Sequence, residues 1–192
     1  MTDTMTTTDT FARYHLLGRT GLRVSPLALG AMTFGQEGWG ADEETSRAIF
    51  RRYLEAGGNF VDTANNYGNG RSEELLGTFL RGQARDRLVL ATKFTGALAP
   101  GDPNAAGNGR KNMLASLDAS LRRLQTDYVD LYWLHAWDTV TPVEEVMSTF
   151  ASRSFAPMSM ASAFTSFMNA DGDRGPCRSC SRTAGPTRSG AC

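Results

Sequence analysis

Cysteine is scarce and confined to one end: Cys177, Cys180 and Cys192 all fall in the last sixteen of 192 residues. The patterned part of the chain therefore has no thiols from which to build a disulfide framework, and a reduced, cytoplasmic setting is the expectation. Cys177-x-x-Cys180 lacks the second pair that a structural zinc site would need, so no metal centre is expected. No apolar run approaches the length of a membrane span, so no membrane partner is expected. The opening "MTDTMTTTDT" has no basic stretch followed by an apolar one, which excludes a secretory leader and predicts a disordered tail over residues 1–12. Excess charge is missing as well. Lys plus Arg equals Asp plus Glu at 20 each, so there is no electrostatic footprint for nucleic acid.

What is present is an alternation of short apolar runs with helical patterns. Residues 14–25, "YHLLGRTGLRVS", place two apolar arms around a Gly-Arg-Thr-Gly turn and predict a hairpin. "PLALGAMTFG" (26–35) is a short apolar run. Asp42 suits an N-cap, with Glu43 and Glu44 at the positive end of a helix dipole. Ile49, Phe50, Tyr53 and Leu54 then repeat at helical spacing, and Gly57 closes that helix. "NFVDTA" predicts a strand. Ser72 is the expected cap of a helix bearing Leu75, Leu76, Phe79 and Leu80. "RLVLATKF" (87–94) and "YVDLYWLH" (128–135) predict strands around a helix marked by Leu114, Leu117, Leu121 and Leu124. "TPVEEVMSTF" starts a further helix, with Pro142 in its first turn. Such alternation predicts parallel strands with helices outside, in an open doubly wound sheet or a (β/α)8 barrel. No Gly-x-Gly-x-x-Gly follows a strand, which weighs against a dinucleotide-binding open sheet.

Polar groups punctuate the strand ends. Asp62 ends the second strand of the alternation, Lys93 the third and His135 the fourth, and Tyr67 sits in the Asn-Asn-Tyr-Gly-Asn-Gly turn after the second. Taken singly, each has a plainer reading: a turn cap for Asp62, packing for Tyr67, a solvated strand end for Lys93 and a satisfied core imidazole for His135. In a parallel barrel all four would open onto one rim, the rim where catalysis occurs. A phenol titrates too high to act as an acid at neutral pH unless a cation stands beside it. A carboxylate would hold that cation, and an imidazole would contact a substrate oxygen. The set would deliver a proton to an oxygen as negative charge develops there, which is half of a carbonyl reduction. No side chain supplies the other half, a hydride, so a nicotinamide is implied. Trp39, Trp133 and Trp137 read as core packing ahead of pocket lining. Asp130 reads as a hydrogen-bonding group within the barrel wall.

The stretches "LGRTGLRVSPLALGAMTFG", "GGNFVDTANNYGNGRSEELLG", "LATKF" and "SLRRLQTDYVDLYWLHAWD" resemble the aldo-keto reductase superfamily from about residue 14 to about 148. The opening is more similar to the bacterial reductases related to potassium-channel β-subunits than to mammalian aldose reductases. The resemblance implies an α/β fold of the (β/α)8 TIM-barrel type and NADPH-dependent reduction of an aldehyde or ketone, a small-molecule carbonyl substrate. It implies catalytic roles for Asp62, Tyr67, Lys93 and His135, with Tyr67 as general acid. It also implies that Gly30, Ala31, Met32 and Asp62 approach the nicotinamide end of NADPH. A non-catalytic, cofactor-sensing subunit is the alternative from another class, and the full set of four favours the enzyme.

The resemblance stops near residue 150. Residues 151–192 contain no Leu, Ile, Val or Lys, too little aliphatic surface to offset the entropy of ordering them. The text resembles a shifted reading frame, a divergent tail being the alternative. Residues 13–150 would then supply about the first four βα units of a barrel that takes roughly 250 residues. Four parallel strands leave two open edges, so edge-to-edge self-association, weak or absent NADPH binding and an inactive fragment are the expectations for this polypeptide.

Overall fold

The structure is a computed structural model describing residue 11, residues 13–97, residue 99 and residues 101–152. The expectations for residues 1–10, for residue 12 and for the tail beyond Ser152 lie outside the described residues, while Phe11, expected in the disordered tail, packs against the core with its N–H donating to the Ala56 carbonyl.

The hairpin forms as its sequence predicts. Strand β1 (His15–Leu16) pairs antiparallel with β2 (Arg23–Val24), and the turn between them is closed by Leu17 N–H donating to the Leu22 carbonyl at 2.8 Å. Four parallel strands follow: β3 (Leu29–Gly30), β4 (Phe60–Asp62), β5 (Val89–Phe94) and β6 (Leu131–Leu134). They alternate with helices α1 (Glu43–Glu55), α2 (Arg71–Leu80), α3 (Arg110–Leu124) and α4 (Val143–Ser152). The sheet order is β3-β4-β5-β6, the order of the chain. A doubly wound sheet reverses its strand order at a switch point. Among the described residues this sheet has none, which favours the barrel reading over the open sheet.

Side chains alternate between two apolar layers, as the period of a strand requires. Val61, Leu90, Phe94, Tyr132 and Leu134 face outward into a cluster with Phe50, Leu75, Leu76, Phe79, Met113 and Leu124 of the helices. Phe60, Val89, Ala91, Leu131 and Trp133 face inward, where Leu17, Leu22 and Val24 of the hairpin region cover them. The inner layer therefore exists at the hairpin end, and the opposite end of the same face is left to polar residues.

The helix termini follow from local chemistry, with one correction. Asp42 caps α1 by accepting from Thr45 N–H at 2.8 Å. Ser72 is not the cap of α2. A 3₁₀ turn at Tyr67–Gly70 brings the chain into the helix early, and Gly70 caps it with φ 94°, a left-handed conformation that glycine adopts without steric cost. Ser72 instead lies buried within the helix, its hydroxyl donating to the Ala31 carbonyl at 2.7 Å and standing 2.9 Å from Thr63 Oγ1. Helices α2 and α3 meet closely at Gly77, where a Cβ would stand 2.2 Å from the Arg123 carbonyl oxygen. The fully buried Glu73 joins both helices to the sheet, accepting from Arg123 Nε at 2.7 Å and from Thr92 Oγ1 at 2.5 Å. Asp130 bonds within the wall as read, accepting from Leu90 N–H and from Arg85, each at 2.8 Å. Trp133 joins the inner layer, but Trp39 and Trp137 are 61% and 42% exposed, which overturns core packing for those two. Both sit in loops that follow strand ends, Trp39 between β3 and α1 and Trp137 between β6 and α4.

Candidate active site

Strand alternation delivers three of the four expected residues to one place. Phe60 faces inward, so Asp62 at the end of β4 does too. Val89 and Ala91 set the same parity for Lys93 on β5, and Leu131 and Trp133 set it for His135, one residue past β6. All three stand at the carboxyl ends of their strands, away from the hairpin. Tyr67 reaches them from the 3₁₀ turn, which is anchored by Tyr67 N–H donating to the Ala64 carbonyl at 3.2 Å.

The Lys93 ammonium is the centre of the group. It donates to Asp62 Oδ2 at 2.5 Å, to the Thr63 carbonyl at 2.8 Å and to the Tyr67 hydroxyl at 3.4 Å. An ammonium has three hydrogens, and all three are directed. The Lys93 side chain is only 12% exposed and Asp62 28%, so their attraction is screened far less than that of a surface pair. The His135 ring meets the Tyr67 ring edge-on, with centroids 5.6 Å apart and planes at 85°. Burial pushes the His135 imidazolium pKa below the ordinary histidine value, the Lys93 charge pushes it the same way, and Asp62 opposes them. His135 is therefore neutral at pH 7, with one ring nitrogen as donor and one as acceptor.

Gly30 pairs in register with Asp62. A Cβ at Gly30 would meet nothing within 4 Å, so open space borders the carboxylate there. Met32 is 47% exposed beside it. Ala31 is fully buried in the outer layer, with its N–H donating to the Asp62 carbonyl and its own carbonyl taken by Ser72. Of the four residues expected near a nicotinamide, Asp62 lies against Lys93, Gly30 and Met32 border open space, and Ala31 supports them from behind.

The Aldo/keto reductase family matches residues 26–153, which contain all four residues. The chain belongs to the aldo/keto reductase family. Norsolorinic acid reductase of Aspergillus flavus is 44% identical over 151 residues, covering 72% of this chain and 39% of that one. A Saccharomyces cerevisiae protein provisionally named aryl-alcohol dehydrogenase is 40% identical over 141 residues, covering 67% of this chain and 66% of its own. Among solved structures, an aldo-keto reductase from Bacillus halodurans in its holo form superposes with a TM-score of 0.63 at 35% identity, covering 72% of this chain and 45% of that one. The chain thus spans about two fifths of the length of the norsolorinic acid reductase it matches.

Other residues around the candidate site left no sequence signal. The Thr63 carbonyl takes one Lys93 hydrogen, and Ser72 ties Thr63 to Ala31. Asn108 and Asp138 bind the loops after β5 and β6 together. Asn108 and Asp138 lie in aperiodic loops, where polar residues have no spacing that marks a partner. Among the described residues, no group of three His, Cys, Asp or Glu side chains could hold a metal ion. No helix among them is long and apolar enough to cross a membrane.

Proposed function

We propose that this chain carries the proton-donating corner of an NADPH-dependent carbonyl reductase. In this reading Tyr67 is the general acid and gives its hydroxyl proton to the carbonyl oxygen of an aldehyde or ketone. Lys93 stabilises the phenolate that this leaves, because its charge lies against the Tyr67 oxygen. Asp62 holds Lys93 charged and in place. His135, neutral, donates a ring N–H to the same substrate oxygen and orients the carbonyl. The cofactor supplies the hydride when bound, and Gly30 and Met32 would border its nicotinamide end. The alcohol forms by one C–H bond at the former carbonyl carbon and one O–H bond, and Tyr67 recovers its proton from solvent. The observation that carries the reading is the Lys93 ammonium set between the Asp62 carboxylate and the Tyr67 hydroxyl. The names of the two relatives, a reductase and an aryl-alcohol dehydrogenase, support carbonyl–alcohol interconversion on an aromatic frame.

The absence of cysteine from the described residues fits a cytoplasmic setting. Among the described residues β3 and β6 each have a single strand neighbour, which supports edge-to-edge self-association. The activity is tested in a chimera, with residues 1–152 continued by the second half of the Bacillus halodurans reductase. NADPH-dependent reduction of an aryl aldehyde is expected, and a folded chimera that binds NADPH and gives no turnover overturns the reading.

A further inference from the structure

The loop from Thr95 to Gly109 joins β5 to α3 and is longer than the roughly 2–6 residues usual for such connections. It is nevertheless fastened. Its ends meet where Gly107 N–H donates to the Thr95 carbonyl at 3.0 Å. Asn108 is fully buried, and its side-chain amide donates at 2.9 Å both to Thr95 Oγ1 and to the Ala136 carbonyl. Its oxygen accepts from Asp138 N–H at 2.6 Å, while Asp138 Oδ2 accepts from Asn108 N–H at 2.7 Å. The rest of the Asp138 carboxylate is filled by the Thr141 hydroxyl at 2.6 Å, Thr141 N–H at 2.9 Å and Val140 N–H at 3.1 Å.

Both loops hold strained backbone. Thr95 has φ 112° and Thr139 φ 64°, conformations that a β-branched residue adopts only where its surroundings impose them. Strand β6 ends at Leu134, and beyond it His135 keeps a single ladder bond, its N–H donating to the Phe94 carbonyl at 3.1 Å. One residue further on, the Ala136 carbonyl is held by the Asn108 amide and, at 3.3 Å, by the Thr95 hydroxyl. The chain is thus fixed one residue beyond His135 by Asn108, which the exchange with Asp138 holds in place.

We propose that Asn108 and Asp138 form a latch that holds the His135 ring against Tyr67, which makes them positioning residues for the carbonyl-binding corner. The inference rests on the role given to His135 under the proposed function. The rim is then set by the bonds between the loops after β5 and β6 as well as by the strands. The charged and titratable groups facing His135 are Lys93 and Asp62, with the Tyr67 ring against it.

The test uses the full chain with its histidines labelled. It has only two, His15 and His135, so the imidazole signals are readily separated by NMR, and His15 on the exposed hairpin serves as an internal signal that should not move. In the unmodified chain His135 should show ring-current shifts from Tyr67 and titrate below the ordinary histidine value. In Asn108→Ala those shifts should be lost and the titration should move up toward the ordinary value. Asp130→Asn, at the hairpin end of the sheet, should lower stability and leave His135 unmoved. A folded Asn108→Ala chain with unchanged His135 signals overturns the latch. So does an equal displacement in Asp130→Asn, which would reduce the effect to general destabilisation. If Asn108→Ala does not fold, amide exchange in the unmodified chain decides. The Asn108, Asp138 and His135 amides should open together, and independent opening of Asn108 and Asp138 overturns the proposal. The catalytic reading is judged by Tyr67→Phe turnover, so either can fail without the other.

Discussion

Lys93 has three hydrogens and three acceptors, so its removal changes the corner more than the fold. In the chimera, Lys93→Met should lower kcat by about 10²-fold or more, the scale of general acid–base catalysis. Its unfolding free energy should also fall, because the largely covered Asp62 carboxylate loses its cation, so kcat is compared at a temperature where both proteins are folded. Unchanged kcat would show that the Tyr67 oxygen needs no cation. Asp138 is the second residue with a measurable signature. Burial pushes its carboxyl up, but hydrogen bonds from Thr141, Asn108 and Val140 outweigh that and hold it down at about 2. A carboxyl depressed on folding stabilises above its unfolded pKa and loses that contribution as protons bind. The stability due to Asp138 should therefore be complete at neutral pH and disappear as pH falls through the ordinary carboxylate range toward about 2. Urea midpoints measured against pH should flatten in that window for Asp138→Asn, and identical slopes in variant and parent would contradict it. The four rim residues were legible in the sequence for a physical reason: each ionisable strand-end residue closes an apolar run, and the turn holding Tyr67 is glycine-rich. Asn108 was not legible, because its partner lies thirty residues away on another loop.

Helix and strand boundaries were legible where a period or a cap marks them. Asp42, with Glu43 and Glu44 behind it, placed the start of α1 where it is found. The start of α3 was not marked. Gly109 offers no side-chain cap, and the Arg110 N–H is satisfied from another element, by Glu145 Oε1 of α4 at 2.8 Å. Ser72 was misread because a serine preceding acidic residues suits a cap equally well, and only the tight turn at Tyr67–Gly70 puts it inside the helix. The α2–α3 contact gives an element-scale prediction. Gly77→Ala places a methyl against the Arg123 carbonyl, which is backbone and cannot swing aside. The two helices must separate, at a cost of about 1–3 kcal/mol. A thermal melt of Gly77→Ala matching that of the parent would mean the helices lie farther apart than described.

At the scale of the whole molecule, the alternation of strands and helices pointed to parallel topology, and the unreversed order β3-β4-β5-β6 selected the barrel over the open sheet. The alternation alone could not make that choice, since both folds require it; the missing Gly-x-Gly-x-x-Gly and the family resemblance are what favoured the barrel. The rim geometry follows from this topology, because parallel strands all end on one side and alternate residues all face in. The account therefore stands or falls on whether Tyr67 donates the proton. The direct measurement is the turnover of Tyr67→Phe against Tyr67 in the chimera, with NADPH affinity measured on the same samples and the hydride step shown by deuterated cofactor to limit the rate. The account predicts a fall of about 10²- to 10⁴-fold in turnover with NADPH affinity nearly unchanged. A Tyr67→Phe enzyme that keeps half its turnover while hydride transfer limits the rate would contradict it.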